Sequence, residues 1–249
     1  MGGERTIGFG CAEIHDALMR NLHVARIELD EAWSFVGKKQ RQIKPDDSAD
    51  VGDQYVFIAL AGAAKAILSY RVGKRTAENT RAFVMDVRHR VLGAPEISSD
   101  AFNAYPNAVD EAFGLDCSFG TIDKHYDAPQ AVEAARRYSP AQVVSISKRA
   151  VVGRPRHIST SYVERQNLTL RMAQRRFTRL TNAFSKKLEN HCAAVALYTA
   201  HYNFCRVHEA LRITPAMQLG VTDHIWTVGE LVDAALTGVI SLRQMAASA

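Results

Sequence analysis

Long apolar runs are missing from this chain. No stretch reaches the roughly 18 apolar residues that a membrane-spanning helix requires. The longest candidate, YVFIALAGAAKAILSY, is interrupted by Lys65 and reads as two strands and a turn, so no membrane partner is expected. The opening MGGERTIGFG has no signal-peptide core. Cysteine is scarce, and Cys11, Cys117, Cys192 and Cys205 show no C-x-x-C spacing. The simplest reading is a reduced cytoplasmic protein without a disulfide framework. Internal repeats and low-complexity tracts are absent too. The GKRT tetrapeptide at Gly73 ends like a phosphate-binding loop, but Leu68 stands where the earlier glycine is needed. His191, Cys192, His201, Cys205 and His208 fit no common zinc spacing, and Arg212 replaces the second histidine of a zincin after His208 and Glu209.

What is present is a chain of 249 residues with 47% hydrophobic content, enough for one domain of ordinary size with a small appendage. Its formal net charge of +5 is unevenly spread. Acids gather in KPDDSADVGD, whereas residues 148–187 are heavily basic, which points to a polyanion-binding face in the second half.

The densest part of that basic region, STSYVERQNLTLRMAQRRFTR at residues 159–179, reads as a helix capped by Thr160 or Ser161. At about 100° per residue, Glu164, Asn167 and Arg171 fall on one face within roughly 60° of one another, with Leu168 and Met172 on a neighbouring apolar stripe. Arg165, Arg171, Arg175, Arg176 and Arg179 have almost no acids nearby, and such a surface expects a polyanion such as DNA.

Earlier in the chain, ARIELDEAWSFVG alternates as a first strand, with Asp30 in it or at its end. Trp33 and Phe35 read as core residues rather than a base-stacking platform. Residues 54–61 and 66–72 read as a hairpin, followed by a helix capped by Thr76 and a short strand, EISS, ending at Asp100. A helix crossover implies that this strand runs parallel to a neighbour in a mixed sheet, whose carboxyl end is where sites form. NAVDEAFG reads as a helix, LDCSFGTI as a strand, AVEAARRY as an inserted helix and QVVSISKRAVVG as a strand. Two helices follow, at residues 187–204 and after Thr227. The expected division is a short lead-in at 1–23 of about three helical turns, a core at 24–184 and a helical extension at 185–249.

Such a core could bring Asp30, Asp100 and Glu164 to one point, although on spacing alone Glu31, Asp86 or Asp110 could take a place in the set. Three clustered carboxylates repel unless divalent cations neutralise them. Hard oxygen donors suit Mg²⁺ or Mn²⁺, and two such ions roughly 3.5–4 Å apart serve phosphodiester displacement.

The blocks ELDEAWSFVGKKQ, SSDAFNAY, TSYVERQNLTLRMAQRRFTRLTNAFSKK and HYNFCRVHEALRITPAM resemble the transposases of the insertion sequence one family, over about residues 21–226. That resemblance implies an α/β, ribonuclease H-like mixed sheet flanked by helices, with a helical C-terminal extension. It implies Asp30, Asp100 and Glu164 as the catalytic, metal-holding triad, two Mg²⁺ or Mn²⁺ ions, and Arg171 on DNA phosphate. Asn167, Arg175 and Arg176 complete the expected DNA-binding set. The implied partner is double-stranded DNA, at element ends and target, bound by a homo-oligomer in the bacterial, nucleoid-associated cytoplasm. Relatives carry an amino-terminal DNA-reading module that 1–23 is too short to supply, so a truncated copy, or one product of an element encoding its parts separately, is expected. Two other readings compete: an inert DNA-binding remnant that interferes with transposition, and a nuclease of the same fold.

Overall fold

The structure, a computed structural model, describes residues 2–126, 143–178 and 182–238. It begins with helix α1 (Gly2–Leu18), longer than the three turns expected because Ile7, Cys11, Ile14 and Leu18 continue one apolar stripe at helical spacing. Strand β1 (Leu22–His23) leads into the long central strand β2 (Arg26–Val36). The hairpin strands β3 (Gly52–Ala61) and β4 (Ala66–Gly73) follow, joined through Lys65 in the left-handed region at φ 55°. Helix α2 (Ala77–Arg90), capped by Thr76, crosses over to β5 (Val91–Leu92) and β6 (Glu96–Asp100). Helix α3 (Tyr105–Phe113) then makes a second crossover to β7 (Ser118–Tyr126).

The main sheet has the order β4-β3-β2-β6-β7-β8, where β8 is Val143–Val152. β2 is parallel to β6 and β6 to β7, while β3 runs antiparallel to both β2 and β4, and β8 antiparallel to β7. A mixed sheet of this order and these directions, flanked by helices, is the ribonuclease H-like arrangement. The two helix crossovers force the parallel pairs, because a parallel neighbour cannot be reached by a tight turn. The inserted helix expected at AVEAARRY lies outside the described residues.

Alternation along the strands divides the core between the two faces. Ile27, Leu29, Phe57, Ile97 and Phe119 pack with Phe83, Val84 and Val87 of α2 and Tyr105 of α3. On the other face Ala32, Val56, Ile58 and Leu60 meet Val163 and Leu170 of α4 (Ser161–Ala173).

Helix α5 (Leu188–Ala200) joins these clusters, contributing Val195 and Tyr198 to one and Ala196 and Ala200 to the other. It breaks into a π-helical turn at His201–Cys205 rather than running on regularly to residue 204. There the Asn203 amide accepts from the Ile67 N–H at 3.0 Å and donates to its carbonyl at 2.8 Å, closing the exposed edge of β4. Helices α6 (Pro215–Gln218) and α7 (Val228–Thr237) complete this layer, α7 opening on a capping box between Thr227 and Glu230.

α1 packs against both α5 and α7, and two glycines allow that approach: a Cβ on Gly10 would come within 2.0 Å of the Ala235 carbonyl oxygen, and one on Gly8 within 2.5 Å of the Ala193 Cβ. Among the described residues no helix is long and apolar enough to cross a membrane.

Candidate active site

Parallel partners in a sheet point their side chains to the same face. The β2–β6 ladder pairs Glu28 with Ser98 and stops at Leu29 and Ser99, so Asp30 and Asp100 stand one residue past its end. Asp100 pairs with Ile122 of β7, and two residues on lies Lys124, again on that face. Helix α4 crosses the same face. The result is a cleft of about 600 Å³ lined by Asp30, Asp100, Glu164, Asn167, Arg171 and Lys124, among others.

Each acid is held. Asn167 donates its amide to Asp30 Oδ2 at 2.8 Å. Asp100 Oδ1 accepts from the Phe102 N–H at 3.0 Å, and its Oδ2 lies 3.1 Å from the Arg75 guanidinium. Glu164 accepts from the Thr160 hydroxyl at 2.5 Å and pairs with the Lys124 ammonium. Glu31, on the opposite face of β2 from Asp30, also reaches this cluster, 3.2 Å from Arg75. Carboxylate oxygens of Asp30, Glu31 and Asp100 lie within 4.8 Å of one another.

The start of α4 is not capped by its own residues, contrary to the expectation for Thr160 or Ser161, because the Thr160 hydroxyl is turned to Glu164. The cap comes from β2, where Glu28 accepts from the Tyr162 and Val163 N–H groups at 2.8 and 2.9 Å. A buried carboxylate at a helix N-terminus satisfies two orphan donors and opposes the positive end of the dipole. Glu28→Ala leaves those donors unpaired, so a loss of about 2–3 kcal/mol is expected, together with displacement of Glu164. Thermal melting of the variant checks this; an unchanged midpoint would remove Glu28 from the role.

The electrostatics of the cleft are strained. Burial pushes the Asp30 carboxyl up to about 6, with repulsion from Asp100 and then Glu164 adding to it. Burial pushes Glu31 up to about 7, reinforced by Asp100. The Tyr105 hydroxyl and Arg75 pull Glu31 the other way, the hydroxyl acting from close by but outside hydrogen-bonding geometry. Asp100 is raised as well, chiefly by burial. Glu31 Oε1 and Asn167 Oδ1 are buried with no hydrogen-bond partner among the described residues. A compact, oxygen-only donor set with an orphaned carboxylate oxygen fits a hard divalent cation.

The chain is similar to a protein of an insertion element. It shares 26% identity with the insertion element iso-IS1n protein InsB of Shigella dysenteriae over 177 residues, 71% of this chain and 95% of that protein. No protein-family model matches the chain. A solved piggyBac transposase synaptic complex with hairpin DNA is similar at a TM-score of 0.38 and 10% identity, covering 90% of this chain and 54% of that one.

Five of the residues singled out in the sequence, Asp30, Asp100, Glu164, Asn167 and Arg171, thus line one cleft. Arg175 and Arg176 do not. α4 ends at Ala173, short of the expected helix, because Gln174 turns extended and donates its amide to the Ala194 carbonyl at 2.8 Å. A short 3-10 turn, Arg175–Phe177, then buries Phe177. Both arginines line a separate cleft beside α5 and α7, and Arg176 bonds the Ser185 hydroxyl and the Asn190 carbonyl. Leu168 and Met172 are exposed rather than packed.

Among the described residues, Asp30, Glu31 and Asp100 are the only potential metal ligands that meet in a group of three or more; the histidines and cysteines of α5 and its end form no such group. His191 is instead clasped between the Ser34 and Ser185 hydroxyls at 2.9 and 3.1 Å.

The sequence does not mark Glu28, Arg75, Thr160 or Lys124 as site residues. Glu28 carried a signal, being two residues before Asp30 on the same strand face. Arg75 sits in the GKRT turn, where the local motif points to phosphate rather than to carboxylates. Lys124 carried none, since only the β6–β7 pairing brings it to Glu164.

Proposed function

We propose that this chain is a DNA transposase of an insertion sequence, cutting DNA at an element end and joining the freed 3′-hydroxyl to target DNA. The observation that carries the reading is the convergence of Asp30, Asp100 and Glu164, distant in sequence, on one cleft at the end of β6. The similarity to an insertion-element protein along nearly its whole length supports the same reading.

In this reading Asp30, Asp100 and Glu164 would hold two Mg²⁺ or Mn²⁺ ions. The cations would supply charge neutralisation at the scissile phosphate and a more acidic attacking hydroxyl. The protein does the positioning. Asn167 orients Asp30, Thr160 and Lys124 orient Glu164, and Glu28 anchors the helix that carries Glu164. Arg171 takes a DNA phosphate beside the reacting bond, supplying affinity without reading sequence. Arg175 and Arg176 extend the DNA contact away from the cleft, and a homo-oligomer assembles on the DNA. In this reading residues 24–184 are the catalytic core and 185–249 a C-terminal extension.

The test is incubation of the protein with supercoiled DNA bearing an element end, with Mn²⁺ and with EDTA. Metal-dependent cleavage followed by joined products is the expected result. Cleavage without joining assigns a nuclease of the same fold, and DNA binding without cleavage an inert remnant.

A further inference from the structure

Arg75 occupies an unusual position for a surface arginine. Its guanidinium lies 3.2 Å from Glu31 Oε2 and 3.1 Å from Asp100 Oδ2, so it bridges two of the three carboxylates that cluster most tightly. The Glu31 side chain is only 3% exposed, whereas that of Arg75 is 35% exposed. The acid is fixed by its surroundings; the guanidinium has a way out. It lies 4.0 Å from the centre of the Phe102 ring, and Arg75 lines both the acidic cleft and an adjoining groove of about 550 Å³ formed with Glu78, Arg81 and Glu111.

We propose that Arg75 is a built-in stand-in for a divalent cation. It neutralises Glu31 and Asp100 while the site is metal-free and leaves them when the cation arrives, turning about Phe102 into the adjoining groove. The inference rests on reading the acids as a metal site, and it adds Glu31 to the residues that face the cation. The physical reason is competition. A guanidinium and a divalent cation use the same carboxylate lone pairs, and two positive centres a few ångströms apart repel strongly in a part-buried site. A long side chain stacked on an aromatic face keeps a favourable contact while it moves, because the cation–π attraction tolerates lateral displacement.

The experiment compares Mn²⁺ affinity, by titration calorimetry, for the native chain, Arg75→Met, Arg75→Lys and Asp100→Asn. Methionine keeps an apolar stem on Phe102 but removes the competing charge, so it should bind Mn²⁺ at least about tenfold more tightly than the native chain. Lysine, retaining a charge without the fork, should fall between the two. Without metal, Arg75→Met should melt below the native chain, and at saturating Mn²⁺ the gap should close.

Native binding that depends on Asp100, with Arg75→Met binding equally or more weakly, overturns the proposal and leaves the metal-site reading standing. Absence of Mn²⁺ binding in both proteins overturns the two together. A measurement free of any folding defect follows the Arg75 Nε–H resonance of the native chain during Mg²⁺ titration. It should shift with the binding midpoint; a resonance unmoved at saturation rejects the exchange.

Discussion

Asp30→Asn, Asp100→Asn and Glu164→Gln should each reduce metal-dependent DNA cleavage by roughly 10³-fold or more while leaving the fold intact. Each substitution keeps the shape of the side chain and removes the charge that would hold a cation. Stability should not fall with activity, since the three sites carry different local balances. Asp30 is half-buried and repelled by Asp100 and Glu164, so a neutral amide there relieves strain and can still accept the Asn167 amide. At Glu164, 41% exposed, a partly solvated pair with Lys124 and the charge-assisted bond from the Thr160 hydroxyl are weakened. Asp100→Asn weakens the contact with Arg75 but also removes repulsion on Asp30 and Glu31. The measurement is cleavage of supercoiled DNA in Mn²⁺, paired with a melting curve for each variant. A variant that folds and still cleaves at the native rate removes that residue from the triad.

The second large effect is one of stability, and its sign runs against habit. Asp30→Asn combined with Glu31→Gln should make the metal-free protein melt higher than the native chain at about pH 8, by roughly 5–15 °C. In the native chain the folded-state carboxyls titrate at about 6 for Asp30 and about 7 for Glu31, above the ordinary values of 3.8 and 4.5. Above those raised values both groups are ionised in the folded and unfolded states alike, and each ionised carboxylate costs the fold about 3 kcal/mol, with coupling making the pair less than additive.

As pH falls through 7 and 6 the folded chain takes up protons that the unfolded chain does not, and the penalty fades. The gap between variant and native chain should therefore narrow over that window and vanish near the ordinary carboxyl values. His15 and His191 act in the opposite sense. Burial lowers both to about 4, so each withdraws stability as pH falls from 6.5 toward 4. Because they are common to both proteins, they cancel in the difference between the melting curves recorded in EDTA. A variant that melts no higher than the native chain at about pH 8 would mean that burying the two ionised carboxylates carries no net penalty.

Local pattern alone determined a good deal of this molecule. The alternation of β2, the hairpin of β3 and β4, the Thr76 cap of α2 and the Thr227 entry to α7 are all short-range features, set by side chains within a few residues of one another. The face shared by Glu164, Asn167 and Arg171 is equally local, being helical geometry, and all three line the cleft. The choice of Asp30 and Asp100 over other acids, by contrast, came from resemblance in whole blocks, because spacing along the chain carries no information about which strands lie side by side.

Only the tertiary structure decided the rest. Parallel pairing of β2 and β6 sets Asp30 and Asp100 just past the end of one ladder, and burial then raises their protonation points. The termination of α4 at Ala173 depends on a carbonyl of α5, and with it goes the separation of Arg175 and Arg176 from the acids. The cap supplied by Glu28, the ammonium of Lys124 on Glu164 and the guanidinium of Arg75 between two carboxylates are contacts across 134, 40 and 25 residues of chain. Charge is felt through space and not along sequence, so these partners could be found only after the sheet had brought them together.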